Sequence, residues 1–210
     1  FVPYCTNAKC TEFGYPPVHN TTRNTYYYTI QSAVADANSG DTLEVANGTY
    51  VETGQIVINK DLTIIGGSQV GTIIQPAQDT IGGGDTGSWI LVNQGVTLNI
   101  SFVTLDGTGR SIRQGIRTNG HTVVDHVTIK NIIQPGYMGF AVVQGYTNTV
   151  PQSLTVTNST IFGFGRVGIQ VDEGLADSTA TITNNVITCR GAGDMVNYGI
   201  TVEGGATATI

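Results

Sequence analysis

The sequence predicts an all-β protein, a parallel β-helix in which short strands stack coil on coil, and three observations lead to this class. A short segment recurs with its first apolar residue at positions 100, 124, 156 and 182, and a fifth copy opens at Thr207, with Ile210 in the place of Ile182. A repeat period of about 20–50 residues indicates a solenoid. Apolar and polar residues alternate within each copy, which is typical of strands. Loops of variable length separate the copies, as expected for strands that all run in one direction.

The N-terminal part of the chain divides into two predicted segments. Residues 1–26 show no periodicity and contain three prolines, so we expect an irregular arm, with residues 27–210 forming the β-helix domain. Ile30, Ala33, Val34 and Ala37 form one apolar stripe, which predicts a helix over about 29–38. This helix is expected to cover the open apolar end of the first coil.

Alternation along the later segments assigns their inward-facing positions. Phe102, His126, Asn158 and Asn184 each follow an inward Val or Ile by two residues and share one column. We predict that this column is a corner of the coil with left-handed backbone, which Asn tolerates. The predicted inward residues are Ile56, Ile58, Leu62, Ile64, Val96, Leu98, Ile100, Val124, Leu154, Val156, Ala180, Ile182, Ala208 and Ile210.

Thr29–Glu52, followed by Ile58–Gly66, resembles the entry segment of right-handed β-helix proteins of the pectin-lyase-like superfamily. With the later coils, the resemblance covers residues of about 27–210. It implies a right-handed parallel β-helix. It leaves the function open, because that superfamily includes polysaccharide lyases and hydrolases, phage tail spikes, adhesins and surface-layer proteins.

The catalytic motifs of the two best-known enzyme types in that superfamily are absent from this sequence. Polygalacturonase-like members carry Asp-Asp and Gly-His-Gly motifs, and neither occurs here. Pectate-lyase-like members carry an Arg-x-Pro-x-x-Arg motif, whereas the segment Arg113–Arg117 has neither the proline nor the spacing. The remaining catalytic candidates are Asp106, Asp125 and Arg117, since a carboxylate pair with an arginine can perform acid–base chemistry on a sugar. The alternative is that these residues form ordinary surface ion pairs.

Asp79 and Asp85 enclose a glycine-rich segment that could wrap Ca²⁺ with carboxylate and carbonyl oxygens. The spacing matches no EF-hand or calcium-binding nonapeptide, and a solvated loop is the alternative interpretation. We therefore predict no metal or other cofactor, with these two residues as the candidates if calcium does bind.

Several features predict an extracellular or cell-surface protein that is made as a precursor and then processed. The chain begins at Phe1, and only 11% of its residues are charged, against about 25% in typical globular proteins. Cys5 and Cys10 are predicted to form a disulfide, leaving Cys189 unpaired. Sequons predict glycosylation at Asn47, Asn99 and Asn20, whereas a fourth sequon asparagine, Asn158, is predicted to be structural and unmodified.

The charge and the hydropathy of the chain argue against two kinds of partner, nucleic acid and a membrane that the chain would span. The formal net charge is −6 and no Lys/Arg stripe occurs, which argues against nucleic acid. No apolar run approaches the roughly 18 residues that span a membrane. Carbohydrate stays open as a partner.

The last coils also predict a hydroxyl grid, with Ser153, Thr179 and Thr207 in one column and Thr155, Thr181 and Thr209 in the next. Such Thr-x-Thr grids resemble ice-binding β-helices, although the β-propensity of Thr explains the same pattern.

The chain stops at Ile210, in mid-strand by the repeat, so more polypeptide or another subunit is expected to cover that end. We therefore expect a non-catalytic structural subunit of an extracellular filament, sheath or surface layer that self-associates through its ends and its N-terminal arm. The alternatives are a secreted polysaccharide lyase or glycoside hydrolase, a carbohydrate-binding adhesin, and an ice-binding protein.

Overall fold

The computed structural model describes residues 16–136, 138–145, 150–172, 178–189 and 197–210, and these residues form six stacked coils of three strands each. Strands of successive coils pair in parallel, which confirms the predicted all-β, parallel β-helix fold. At a strand spacing of about 4.8 Å, six coils make a rod of roughly 30 Å. The first elements are β1 (Val18–Asn20), β2 (Thr25–Tyr27) and α1 (Ile30–Asp36). The coils are β3 (Asp41–Val45), β4 (Gly48–Glu52) and β5 (Ile56–Ile58); β6 (Leu62–Gly66), β7 (Thr72–Pro76) and β8 (Ser88–Val92); β9 (Thr97–Ser101), β10 (Thr104–Asp106) and β11 (Gln114–Thr118); β12 (His121–Asp125), β13 (Thr128–Lys130) and β14 (Phe140–Gln144); β15 (Ser153–Thr157), β16 (Thr160–Phe162) and β17 (Val167–Val171); β18 (Thr179–Thr183), β19 (Val186–Thr188) and β20 (Tyr198–Val202), followed by β21 (Thr207–Thr209).

The strands form three sheets, each contributing one strand to every coil. Sheet A has the order β2-β1-β3-β6-β9-β12-β15-β18-β21, sheet B runs from β4 to β19, and sheet C runs from β5 to β20. A short 3₁₀ helix (Gly84–Gly87) precedes β8 in the loop from sheet B to sheet C.

The core lies between the three sheets and follows the alternation predicted from the sequence. Val124 pairs in register with Ile100 and Val156, and Val156 pairs with Ile182. Nearly all the predicted inward residues are buried; Val96 and Ala208 are half-buried and Ile210 is exposed. Apolar columns from successive coils thus form one continuous core.

The corner between sheets A and B confirms the predicted left-handed column. Phe102, His126, Asn158 and Asn184 have φ values of 55°, 52°, 50° and 57°. A two-residue connection at each of these corners requires this backbone conformation. Asn and His adopt it more readily than Phe, so the corner at Phe102 carries the most strain.

The predicted cap helix is present as α1, which packs against β1, β2, β4 and β5. Ile30, Ala33 and Val34 are its buried residues, and Thr29 caps its first turn by accepting a hydrogen bond from the Ser32 amide. The Glu52 carboxylate accepts the amides of Ile30 and Gln31 at 2.8 and 3.0 Å. In the described part of the chain, no helix has the length and apolar character that a membrane crossing requires.

Residues 18–27 differ from the irregular arm that the sequence predicts. Strands β1 and β2 pair antiparallel, and β1 pairs antiparallel with β3, so the two strands extend sheet A. The buried Asn20 side chain ties β1 to the first coil through Asp41. Strands of three residues carry too little alternation to be recognised from the sequence.

Candidate functional site

The three catalytic candidates from the sequence lie on different faces of the β-helix. Asp106 ends β10 in sheet B, Asp125 ends β12 in sheet A, and Arg117 belongs to β11 in sheet C. A coil passes through all three sheets, so residues close in sequence can point in different directions. The structure does not bring these three side chains together, which argues against the acid–base cluster expected from the sequence.

Asp106 is buried and belongs to a closed polar network. It accepts hydrogen bonds from Thr108 Oγ1 at 2.6 Å and from Asn131 Nδ2 at 2.8 Å, and Lys130 Nζ lies 3.2 Å away. Burial raises the pKa of Asp106, but the hydrogen bonds from Thr108, Asn131 and Lys130 outweigh it and lower the pKa to about 2. A carboxylate held in this way fixes the loop after β10 and is a poor proton donor.

Asp125 holds the corner column together. It contacts His126 Nδ1 at 2.8 Å and accepts hydrogen bonds from Thr157 Oγ1 at 2.7 Å and Asn158 Nδ2 at 2.8 Å. Burial raises the pKa of Asp125, yet these hydrogen bonds lower it overall. Asn158 therefore has the structural contact expected for a corner residue, and Asp125 links two coils.

The two calcium candidates are engaged with other groups. Asp79 accepts the Ser111 amide at 3.0 Å. Asp85 accepts hydrogen bonds from Arg117 Nε and Asn119 Nδ2, at 2.6 and 3.0 Å. Among the described residues, no group of three or more His, Cys, Asp and Glu side chains could hold a metal ion.

Asn20 is in a position that contradicts its predicted glycosylation. Its side chain is fully buried, and its Nδ2 donates to Asp41 at 2.6 Å. A glycan on that nitrogen would break the contact and has no room in the folded chain.

The other predicted modification sites differ in exposure. Asn47 and Asn99 are half-buried, with the Asn47 Oδ1 accepting from Ser68 Oγ at 3.0 Å and the Asn99 Nδ2 lying 3.4 Å from Thr63 Oγ1. Their glycosylation stays a prediction.

The cysteines are only partly described. Cys5 and Cys10 lie outside the described residues, so their disulfide stays a prediction. Cys189 is an exposed free thiol.

A groove on the outer face of sheet C is a candidate site. Alternation turns Ile116 and Val142 into the core and their neighbours Arg117 and Val143 outward. The groove encloses a cavity of about 250 Å³. Its lining residues are Gly84, Arg113, Gln114, Arg117, Met138, Phe140, Val143, Arg166, Val167, Gln170, Tyr198 and Glu203.

The floor of the groove is apolar. Phe140, Val143 and Val167 form a hydrophobic cluster separate from the core, and Met138 packs against it. Tyr198 follows Val167 in the same column of sheet C and is 44% exposed. An apolar floor with a few polar groups is characteristic of ligand sites.

Three arginines surround this floor. Arg113 and Arg117 come from the third coil and Arg166 from the fifth. The Arg166 guanidinium lies 6.0 Å from the centre of the Phe140 ring, at the limit for a cation–π contact. The Nε of Arg113 is buried without a hydrogen-bond partner, and so is Oε1 of Gln114 beside it. Buried polar atoms without partners are rare, and both residues line the groove.

Arg117 is only 2% exposed although it stands on an outer face, and its Nε donates a hydrogen bond to Asp85 Oδ1 at 2.6 Å. Burial raises the pKa of Asp85, but hydrogen bonds from Asn119 and Arg117 and the charge of Arg117 lower it overall. The result is an ion pair between the loop of the second coil and the sheet of the third.

The sequence does not single out Phe140, Arg166 or Tyr198 as site residues. One signal identifies their neighbours: Gly-Ile pairs recur at 115–116, 168–169 and 199–200, and their isoleucines share one column of sheet C. The residues before these glycines, Gln114, Val167 and Tyr198, line the groove, so this repeat locates the groove column.

The hydroxyl grid lies on a different face of the coil, on sheet A. Ser153, Thr179 and Thr207 are in register, as are Thr155, Thr181 and Thr209, as the sequence predicts. No arginine or lysine occurs in β9, β12, β15, β18 or β21.

Comparison with known proteins adds no identification. No family model matches the chain, and searches of curated proteins and of solved structures likewise found no match.

Proposed function

We propose that this β-helix is a carbohydrate-binding protein that holds an acidic glycan chain, rich in uronic acids, in the groove of sheet C. The observation that carries the proposal is the set of three arginines, Arg113, Arg117 and Arg166, around one apolar floor. They are three of only nine Lys and Arg residues in a chain of net charge −6.

The charge distribution supports an anionic ligand. Of the residues that line the groove, three are arginines and one, Glu203, is acidic. Arg117 is paired with Asp85, so Arg113 and Arg166 supply the positive charge that is unpaired within the described residues. A cationic groove on an acidic protein attracts anions locally while the rest of the surface repels them. Guanidinium groups also bind carboxylates with two parallel hydrogen bonds, which fixes the orientation of the ligand.

The form of the groove supports a chain of sugars. The lining residues extend from Gly84 in the second coil to Tyr198 in the sixth. Four coil spacings of about 4.8 Å give the groove a length of roughly 19 Å. The exposed ring of Tyr198 can pack on the C–H face of a sugar ring, and the half-buried Gln170 can supply an amide for sugar hydroxyls. A glycan chain uses all of these features.

Binding without cleavage is the function that these side chains favour. Glycoside hydrolysis ordinarily needs two carboxyl groups across the scissile bond. Glu203 is the only acid that lines the groove in the described residues, and the nearby Asp85 is paired with Arg117. A lyase or hydrolase is the alternative function.

Titration calorimetry with oligogalacturonate, and with neutral dextran as the comparison glycan, tests this proposal. Arg113→Gln and Arg166→Gln should each weaken oligogalacturonate binding about tenfold, which corresponds to about 1.4 kcal/mol. Arg110→Gln is the matched control, because Arg110 is exposed and outside the groove; its affinity should stay within about twofold of the wild type. Equal affinities for the three variants, or no binding by the wild type, would refute the proposal.

The same polymers distinguish the enzyme alternative. If the wild type releases reducing ends or unsaturated products and Glu203→Gln does not, the protein is an enzyme and the binding function is wrong. Retention of the polymer without products supports the binding function.

Membership of the pectin-lyase-like superfamily and an extracellular location accompany this proposal. They are supported by the resemblance of residues 27–210, by the coil arrangement and by the low content of charged residues. The roles as an assembling structural subunit and as an ice-binding protein stay predictions from the sequence.

A further inference from the structure

Asp85 occupies a site on Arg117 that has the chemistry of a carboxylate-binding site. Its Oδ1 accepts hydrogen bonds from Arg117 Nε at 2.6 Å and from Asn119 Nδ2 at 3.0 Å. Arg117 and Asn119 are 2% and 4% exposed, so both donors are held in place by their surroundings. A buried guanidinium with a buried amide beside it is a preorganised receptor for one carboxylate.

The space for these donors depends on Gly145, which follows β14. A methyl group at this position would lie 2.2 Å from Asn119 Oδ1 and 2.9 Å from Arg117 Nη2. Any other residue at position 145 would therefore push the two donors out of their present arrangement. The site is formed by three elements: β11, the turn after it and the end of β14.

The Asp85 side chain, by contrast, can leave while its backbone stays in place. Its carbonyl oxygen accepts hydrogen bonds from Gln55 Nε2 and Ser88 Oγ, both at 2.6 Å. Its side chain is nevertheless 48% exposed, and a rotation about its own bonds would move the carboxylate into solvent. Gly84, the residue before it, lines the groove. The carboxylate thus lies at the edge of the proposed ligand site.

We infer that Asp85 is an internal substitute for a ligand carboxylate, and that a uronic acid unit of the bound glycan displaces it from Arg117 and Asn119. This inference rests on the proposed function, since it assigns one carboxylate position within the same groove. In the structure Asp85 neutralises the buried Arg117, whose charge would otherwise be costly. In the complex a sugar carboxylate takes its place, and neutral glycans cannot do so.

Asp85→Asn tests the inference, because it removes the negative charge and keeps the size of the side chain. Sodium glucuronate is the probe, with glucose and sodium chloride as controls, and thermal unfolding and the NMR signal of Arg117 Nε–H are the readouts. The variant should bind glucuronate with at least tenfold higher affinity than the wild type. Glucuronate should raise its melting temperature and shift the Arg117 signal, whereas glucose and chloride at equal ionic strength should do neither.

The double variant Asp85→Asn/Arg117→Gln distinguishes this site from other binding positions and should lose the response. Equal glucuronate affinities in the wild type and Asp85→Asn, or no response in Asp85→Asn, would overturn the inference. If the wild type still binds oligogalacturonate in that case, the proposed function stands and only the role of Asp85 is wrong. If Asp85→Asn responds while the wild type binds no oligomer, the carboxylate site is supported and the glycan function fails.

Discussion

Sheets A and C belong to the same coils, yet their outer faces differ in charge, relief and regularity. Outward positions in the later strands of sheet A are mostly Ser and Thr in registered columns, and two-residue corners connect it to sheet B. Sheet C has long loops on its sides, such as 77–87 and 107–113, and it presents arginines over an apolar floor. The regular face carries the registered hydroxyl columns, and the irregular face carries the groove that we propose as the ligand site.

The inward side of sheet A should show the largest effect of any single change. Val156 is fully buried between Val124 and Ile182. Val156→Asp places an unpaired charge in that column and should lower the free energy of unfolding by at least about 4 kcal/mol, measured by urea denaturation. Thr155→Asp, an outward residue of the same strand, is the control and should cost less than about 1 kcal/mol. Similar losses in both variants would contradict the assigned register.

A substitution of Asp106 in sheet B tests whether an acid outside the groove has a structural role. The pKa of Asp106 is about 2 in the folded protein, below its ordinary value of 3.8. The ionised carboxylate therefore stabilises the fold at pH values above 3.8, and this contribution is lost as the pH falls toward 2. Asp106→Asn should therefore cost about 2 kcal/mol at pH 7, and the difference from the wild type should vanish near pH 2. Denaturation at several pH values measures it. A difference that is constant with pH would show that the charge of Asp106 does not matter.

The smallest effect is expected on the outer face of sheet A. Thr181 and Gln170 are both outward strand residues, the first in the hydroxyl grid and the second in the groove. Thr181→Val should change stability by less than about 0.5 kcal/mol and leave oligogalacturonate affinity unchanged. Gln170→Val removes an amide from the groove and should weaken binding about threefold. Weaker binding by Thr181→Val would indicate that the ligand binds sheet A and not the groove of sheet C.

Much of the fold could be predicted because its signals are local and repeat in the sequence. The columns through Ile100 and Val156 follow from alternation with period two, and the corner at Asn158 follows from its place in the repeat. The apolar stripe from Ile30 similarly predicts the cap helix. These features depend on the spacing of residues within one segment, and that spacing can be read from the sequence.

The candidate site could not be predicted, because its residues come from different coils separated by loops of unequal length. Arg117 and Arg166 are 49 positions apart, yet they line one cavity. Asp106, by contrast, is close to Arg117 in sequence but lies on another sheet. The direction of a side chain depends on where its coil turns, and loop composition does not reveal that position.

The central claim is that an acidic glycan binds sheet C and leaves sheet A untouched, and an amide NMR titration with oligogalacturonate tests it most directly. The signals expected to shift belong to β11, β14 and β17 and to the loop around Asp85. Signals from β12, β15 and β18, in the same coils, should stay in place and serve as the internal control. Shifts confined to sheet A, or an unchanged spectrum at saturating oligomer, would contradict the assignment of the groove as the binding site.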